Sequence, residues 1–254
     1  RSMVAGRSRP PERLHTATDD DPGLFGPGSA AWQVHGDVAM FVGGLRALLL
    51  QTLHPLAMAG VAEHSDYRRD PWGRLRRTAE YVGATTYGST DTATAAIRRV
   101  RRIHEHVRGV APDGRPYAAT DPHLIAWVHV TEVDSFLRAY QRYGSGQLEP
   151  GDADRYVAEM ATVAELLGSE PVPTTVSEMR TWIRDVRPEL SAGRQAHDAV
   201  RFLLVPPVPL VARGPYGVVA AAAVGLLPAW ARRQLWLPSP PLSDPLVVQP
   251  TAKV

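Results

Sequence analysis

The stretch Phe41-Val-Gly-Gly-Leu-Arg-Ala-Leu-Leu-Leu-Gln-Thr-Leu-His-Pro-Leu-Ala-Met-Ala-Gly-Val61 decides the fold. It is apolar on most sides, so it reads as a central helix surrounded by others rather than a surface helix with one greasy stripe. Pro55 is expected to kink it and free the carbonyl of Gln51. Outward from this block, which runs from Ala31 to about Ser65, the pattern stays helical. Asp70 caps a helix starting near Pro71 that carries Arg74, Thr78, Tyr81 and Val82. A further helix runs from about Asp91 to Arg108 and stops at Gly109. Asp121-Pro122 opens a long one to about Tyr143, closed by Gly144. Later helices are expected at about 151–167, 175–186, 191–204 and 214–236, the last interrupted at Pro228. Ala111 to Thr120 is turn chemistry. Strict alternation is almost absent, so the class is all-α, with at least seven helices and no sheet beyond two short strands. A single helical domain over 31–236 is expected between an extended N-terminal arm, 1–30, and a Pro-rich C-terminal tail, 237–254.

Composition removes whole classes of chemistry. Of the 254 residues, 44% are hydrophobic and none is cysteine. Disulfides, zinc–thiolate sites, iron–sulfur clusters, a Cys nucleophile and thiolate-ligated haem are therefore out. Lys253 is the one lysine, leaving 27 Arg among the 28 basic residues. No P-loop exists, and Schiff-base chemistry lacks a plausible lysine. The net charge of +2 asks for no nucleic acid. The longest apolar run, Gly217 to Trp230, is about 14 residues where a span needs about 20, so no transmembrane segment is expected. With no apolar segment near Arg1, the expected setting is cytoplasmic, and heavy Arg, Ala and Pro use points to a bacterial source.

Any metal site must then use His, carboxylate or water. On the helix 91–108, Ala93, Ala96, Ile97, Val100, Ile103 and Val107 recur at helical spacing and form the buried stripe. His104 falls in that stripe, and His106 lies about 200° round from it, among arginines. His104 is expected inside and His106 outside. A buried imidazole needs a partner, which is either a core hydrogen bond or a metal. Arg74 and Thr78, four apart, share a helix face suited to a carboxylate or bound oxygen. His54 and His64 belong to the most apolar block and either could face a cavity. His129 and Glu132, three apart, form a candidate proton-transfer pair.

Four segments together resemble one family. They are Leu48 to Ser65, Asp70-Pro-Trp-Gly-Arg-Leu-Arg-Arg-Thr78, the region Ile103 to His129, and Leu226 to Leu235. The resemblance is to the bacterial and fungal oxygenases that include the latex-clearing rubber oxygenases and the mycophenolic-acid-pathway (MpaB-type) oxygenase. It covers about residues 30–240. It implies a globin-like helical core holding haem b, with His104 as the proximal iron ligand and Arg74 and Thr78 as catalytic and cofactor-binding neighbours. Arg77 stands where the rubber oxygenases carry a Lys. The implied activity is a haem-dependent oxygenase acting with dioxygen on a small apolar, isoprenoid- or lipid-like substrate. The alternatives are a metal-free apolar-ligand-binding protein on the same scaffold and a non-haem metal oxygenase using His54, His64 or His129.

Overall fold

The computed structural model describes residues 16–207 and 209–238, with Trp72 described by its backbone alone. The expected arm over 1–15 and the tail over 239–254 lie outside the described residues. Eleven α-helices occur among the described residues: α1 Ala30–His35, α2 Met40–Gln51, α3 Pro55–His64, α4 Pro71–Tyr87, α5 Thr90–His104, α6 Pro122–Tyr143, α7 Asp152–Leu167, α8 Val176–Val186, α9 Arg194–Leu204, α10 Leu210–Leu226 and α11 Ala229–Gln234. One two-stranded hairpin, β1 Arg108–Val110 with β2 Pro116–Ala118, stands between α5 and α6, and a 3-10 turn, Arg187–Glu189, follows α8. The chain is all-α, as its periodicity requires.

The apolar stretch forms two helices rather than one kinked helix. The axes of α2 and α3 diverge by 106°, with Pro55 as the first residue of α3. Proline fits that position because a first-turn N–H has no intrahelical partner to lose. The Gln51 carbonyl, which loses its Pro55 partner at the break, accepts from the His54 N–H and the Trp127 indole N–H, both at 3.4 Å. By itself no described helix is long and apolar enough to cross a membrane, whereas the bent pair α2 and α3 is, by length and composition only.

The centre of the molecule is α2 against α6, with α10 on α2. Leu45, Leu49, Leu50, Leu53, Trp127, Ala223 and Leu227 are buried together there. Each fully buried Leu contributes about 1.5–3 kcal/mol. The two helices approach closely because Gly43 has no side chain: a Cβ there would lie 2.7 Å from the Phe136 ring and 3.0 Å from its Cα. One turn on, Arg46 is 2% exposed. Its guanidinium meets Asp134 at 2.8 Å, donates to Ser135 Oγ at 2.7 Å and donates to the Leu226 carbonyl at 3.0 Å. Arg138 holds the other Asp134 oxygen at 2.7 Å.

Three boundaries differ from expectation. First, α5 ends at His104 instead of Arg108, because the chain turns into the hairpin, where Gly109 pairs with Tyr117 and so is a strand residue instead of a helix stop. Ile103, assigned to the buried stripe, is 54% exposed. Second, α10 begins at Leu210 and takes Pro215 inside it; Val211, whose carbonyl Pro215 cannot bond, is 88% exposed and open to water. Third, α9 begins at Arg194. Asp70 and Asp121 cap α4 and α6 as their positions predict, accepting from Gly73 N and His123 N.

Removing one partner of a buried ion pair strands the other. Asp134→Ala is therefore expected to destabilise the protein by about 3–5 kcal/mol. The double change Arg46→Met with Asp134→Leu should recover most of that loss, and chemical denaturation of the three proteins checks both statements.

Candidate functional site

The helices α4 and α5 pack on each other across the two-residue connection Gly88–Ser89, and on α1 and α7 respectively, but make no extensive contact with α6. The N-terminal segment braces the connection: Thr16 bridges Gly88, and Asp21 accepts from the Thr90 N–H and hydroxyl. On α4, Arg74, Thr78, Tyr81 and Thr85 recur at helical spacing and form one stripe. Burial lowers the pKa of the Arg74 guanidinium, which donates to Ser65 Oγ and has no carboxylate partner among the described residues. Thr78 is exposed and bonds the Arg74 carbonyl at 3.1 Å. The Tyr81 hydroxyl is buried without a partner, and burial with the nearby Glu132 charge raises its pKa.

His104 is the last residue of α5 and Arg74 lies in the first turn of α4, both at the end far from the connection. His104 is half-buried and His106 exposed, so the order of exposure expected of the two rings holds although His104 is less enclosed than its stripe suggests. His106 spends its Nδ1 on the Arg102 carbonyl at 2.8 Å. The buried His104 Nδ1 has no hydrogen-bond partner, and burial holds the ring's pKa below the ordinary value, in the neutral form.

Across from α4, His129 and Glu132 lie on one side of α6. Each keeps some accessible surface, yet burial lowers the His129 pKa to about 4 and raises that of Glu132 to about 7. These facts agree if their accessible surface faces an enclosed space instead of bulk water. No ion pair relieves either group among the described residues.

The remaining histidines are engaged differently. His64 Nε2 lies 3.1 Å from the Tyr117 hydroxyl, which donates to Glu63 at 2.5 Å. His35 is buried between Thr86 and Tyr156, and burial lowers its pKa to about 3. His54 is 2% exposed and forms, with His123 and Glu189, a group whose ligand atoms all lie within 4.8 Å of one another. His123 Nδ1 meets Glu170 at 2.7 Å and its Nε2 meets Glu189 at 2.9 Å. Burial alone would lower the His123 pKa, but these two hydrogen bonds outweigh it and raise the pKa. A cleft of about 190 Å³ lined by Arg46, Asp134, Arg138, Arg180, Arg187 and Trp230 contains none of these histidines.

Residues 32–254 match the family model described as the ER-bound oxygenase mpaB/B'/rubber oxygenase catalytic domain. The chain belongs to this family. As a member of the mpaB/rubber oxygenase family it carries an oxygenase catalytic domain. No curated protein and no solved structure matched in the corresponding comparisons.

Within this family member, the structure places Arg74, Thr78 and His104 on two mutually packed helices and puts His54 elsewhere, beside His123 and Glu189. Those last two, with Glu170, carry no sequence signal as partners of His54, because 135 residues separate His54 from Glu189 and only tertiary packing joins them. The unpartnered hydroxyl of Tyr67 is likewise invisible without the structure.

A carboxyl whose pKa rises on folding stabilises the fold through its protonated form. That contribution is complete below the ordinary value of 4.5 and is lost as pH rises through about 7. Glu132→Gln is expected to raise the melting temperature near pH 8, by about 2–4 °C per kcal/mol relieved, and to change it little near pH 4.5. Melting curves of both proteins at the two pH values give the comparison; a difference independent of pH would mean that Glu132 titrates normally.

Proposed function

We propose that the chain is a haem-b-dependent oxygenase that uses dioxygen on an apolar, isoprenoid- or lipid-like substrate, with His104 as the iron ligand. The observation that carries this reading is the set of polar groups around α4 and α5 that lack partners within the protein. Leaving a buried polar group unsatisfied costs about 1–3 kcal/mol. The Tyr67 and Tyr81 hydroxyls and His104 Nδ1 carry a cost that a bound group would relieve, and Arg74, whose guanidinium donates to Ser65 Oγ, has no carboxylate partner among the described residues. These residue types fit haem: an imidazole for iron and a guanidinium for a propionate. The family match supports the oxygenase part of the reading.

Activation of dioxygen is the chemistry haem supplies when bound. The protein supplies the rest. His104 presents a neutral imidazole at physiological pH, because burial disfavours its protonated form. Arg74 would pair with a cofactor carboxylate from a desolvated position, where the attraction is stronger than in water. Thr78 adds a hydroxyl on the same helix face. Glu132, with a pKa of about 7, can hold or release a proton near neutral pH, the condition under which a general acid–base group works best. The apolar side chains Ile97 and Val130, on α5 and α6, suit a water-poor site.

Purified or haemin-reconstituted protein is expected to show a Soret band. His104→Ala should abolish that band or shift it strongly, while His106→Ala should leave it unchanged. Arg74→Ala should weaken haem retention by about 10–100-fold, as outer-shell changes do. Haem binding that survives His104→Ala unaltered would overturn the assignment of the ligand, and protein that stays colourless after reconstitution would overturn the haem reading.

A further inference from the structure

The α4–α5 groups leave one buried histidine unexplained. His54 caps the N-terminus of α3 at 2% exposure, and neither of its ring nitrogens has a hydrogen-bond partner. Its Nε2 points at Glu189 Oε2 from 3.6 Å, beyond good hydrogen-bond range. The same Glu189 oxygen lies 2.9 Å from His123 Nε2. Three donor atoms from three separated segments thus surround one point, with the ligand atoms all within 4.8 Å of one another.

We propose that His54, His123 and Glu189 form a binding site for a divalent first-row transition-metal ion. Donors at about 2.0–2.2 Å from a tetrahedral ion stand roughly 3.4 Å apart. The separations of 2.9 and 3.6 Å around Glu189 Oε2 bracket that value, so small side-chain shifts suffice. Two imidazoles and one carboxylate are a donor set that zinc, iron and nickel accept. Glu170 supplies the outer partner: its Oε1 lies 2.7 Å from His123 Nδ1. A carboxylate on the far nitrogen fixes the tautomer and leaves Nε2 as a lone pair for the metal.

The competing account is a protonated His123 bridging two glutamates without a metal. It satisfies His123 and both carboxylates. It leaves His54 buried with two empty nitrogens beside a carboxylate, a loss that an ion on Nε2 would halve. Aromatic rings line the site. Trp127 and Trp182 stack at 6.4 Å, with the His54 ring 6.1 Å from Trp127 and the His123 ring 5.9 Å from Trp182. His123 and Glu189 are part-exposed, which leaves an open side for water as a further ligand.

The ion would tie together the α2–α3 corner, the start of α6 and the Arg187–Glu189 turn. Backbone bonds already register these segments: Ser191 N–H donates to the Leu53 carbonyl at 2.9 Å, and Glu170 N–H to the Pro122 carbonyl at 3.3 Å. This site shares no residue with the proposed haem site, and its test is independent of that reading.

Calorimetric titration of chelator-treated full-length protein with Zn²⁺ is expected to give one site per chain with a dissociation constant of about 1 μM or tighter, and a rise in melting temperature on zinc addition. Glu189→Gln and His54→Gln should each weaken binding at least about 100-fold, and Glu170→Gln by about 10–100-fold. His106→Gln should bind as the parent does. Should His54→Gln fail to fold, Glu189→Gln decides the matter, since that side chain is part-exposed. Absence of a one-to-one site in the parent protein, or binding in Glu189→Gln equal to the parent's, would overturn the proposal in favour of the proton bridge.

Discussion

The close approach of α2 to α6 is the constraint on which the rest of the structure depends. Gly43 lets the two backbones meet at the Phe136 position, and that intimacy would seal Arg46 in an apolar layer if nothing answered its charge. Asp134, Ser135 and the Leu226 carbonyl answer it, binding α2, α6 and the end of α10 in one polar knot. A buried ion pair is costly to form and costlier to break, so its value lies in fixing register as much as in net stability. Here the register sets which residues of α6 face which way.

With that face of α6 committed to the knot, its other positions are free for chemistry. His123 stands at its first turn, beside the α2–α3 corner that Pro55 creates. His129 and Glu132 lie farther along the same helix, desolvated by their surroundings. One helix therefore carries three polar centres, separated by position along the axis and by angle around it. The proposed haem site and the proposed metal site share this scaffold and no ligand.

Polar groups are usually satisfied within a folded core. Among the described residues the exceptions include the Tyr67 and Tyr81 hydroxyls, His104 Nδ1 and both ring nitrogens of His54. Folding burdens the chain with desolvated groups that have no internal partner, a pattern expected where a bound group completes the structure. The shifted pKa values of His129 and Glu132 belong to the same picture, since both arise from loss of water and neither from a neighbouring countercharge.

The sequence by itself determined the helical class, the caps Asp70 and Asp121, the stop at Gly144 and the separation of His104 from His106. All of these rest on local periodicity and on backbone chemistry within a few residues. The motifs shared with the oxygenase family were equally legible, because they are contiguous strings. Tertiary structure decided what those signals leave open. It split the apolar stretch at Pro55 into two helices set 106° apart, and it ended α5 at His104 because Gly109 was needed opposite Tyr117. It also chose which histidines acquire partners: Tyr117 for His64, Thr86 and Tyr156 for His35, Glu170 and Glu189 for His123. Burial and long-range proximity depend on how whole helices pack, and no short window of residues encodes the distance between His54 and Glu189.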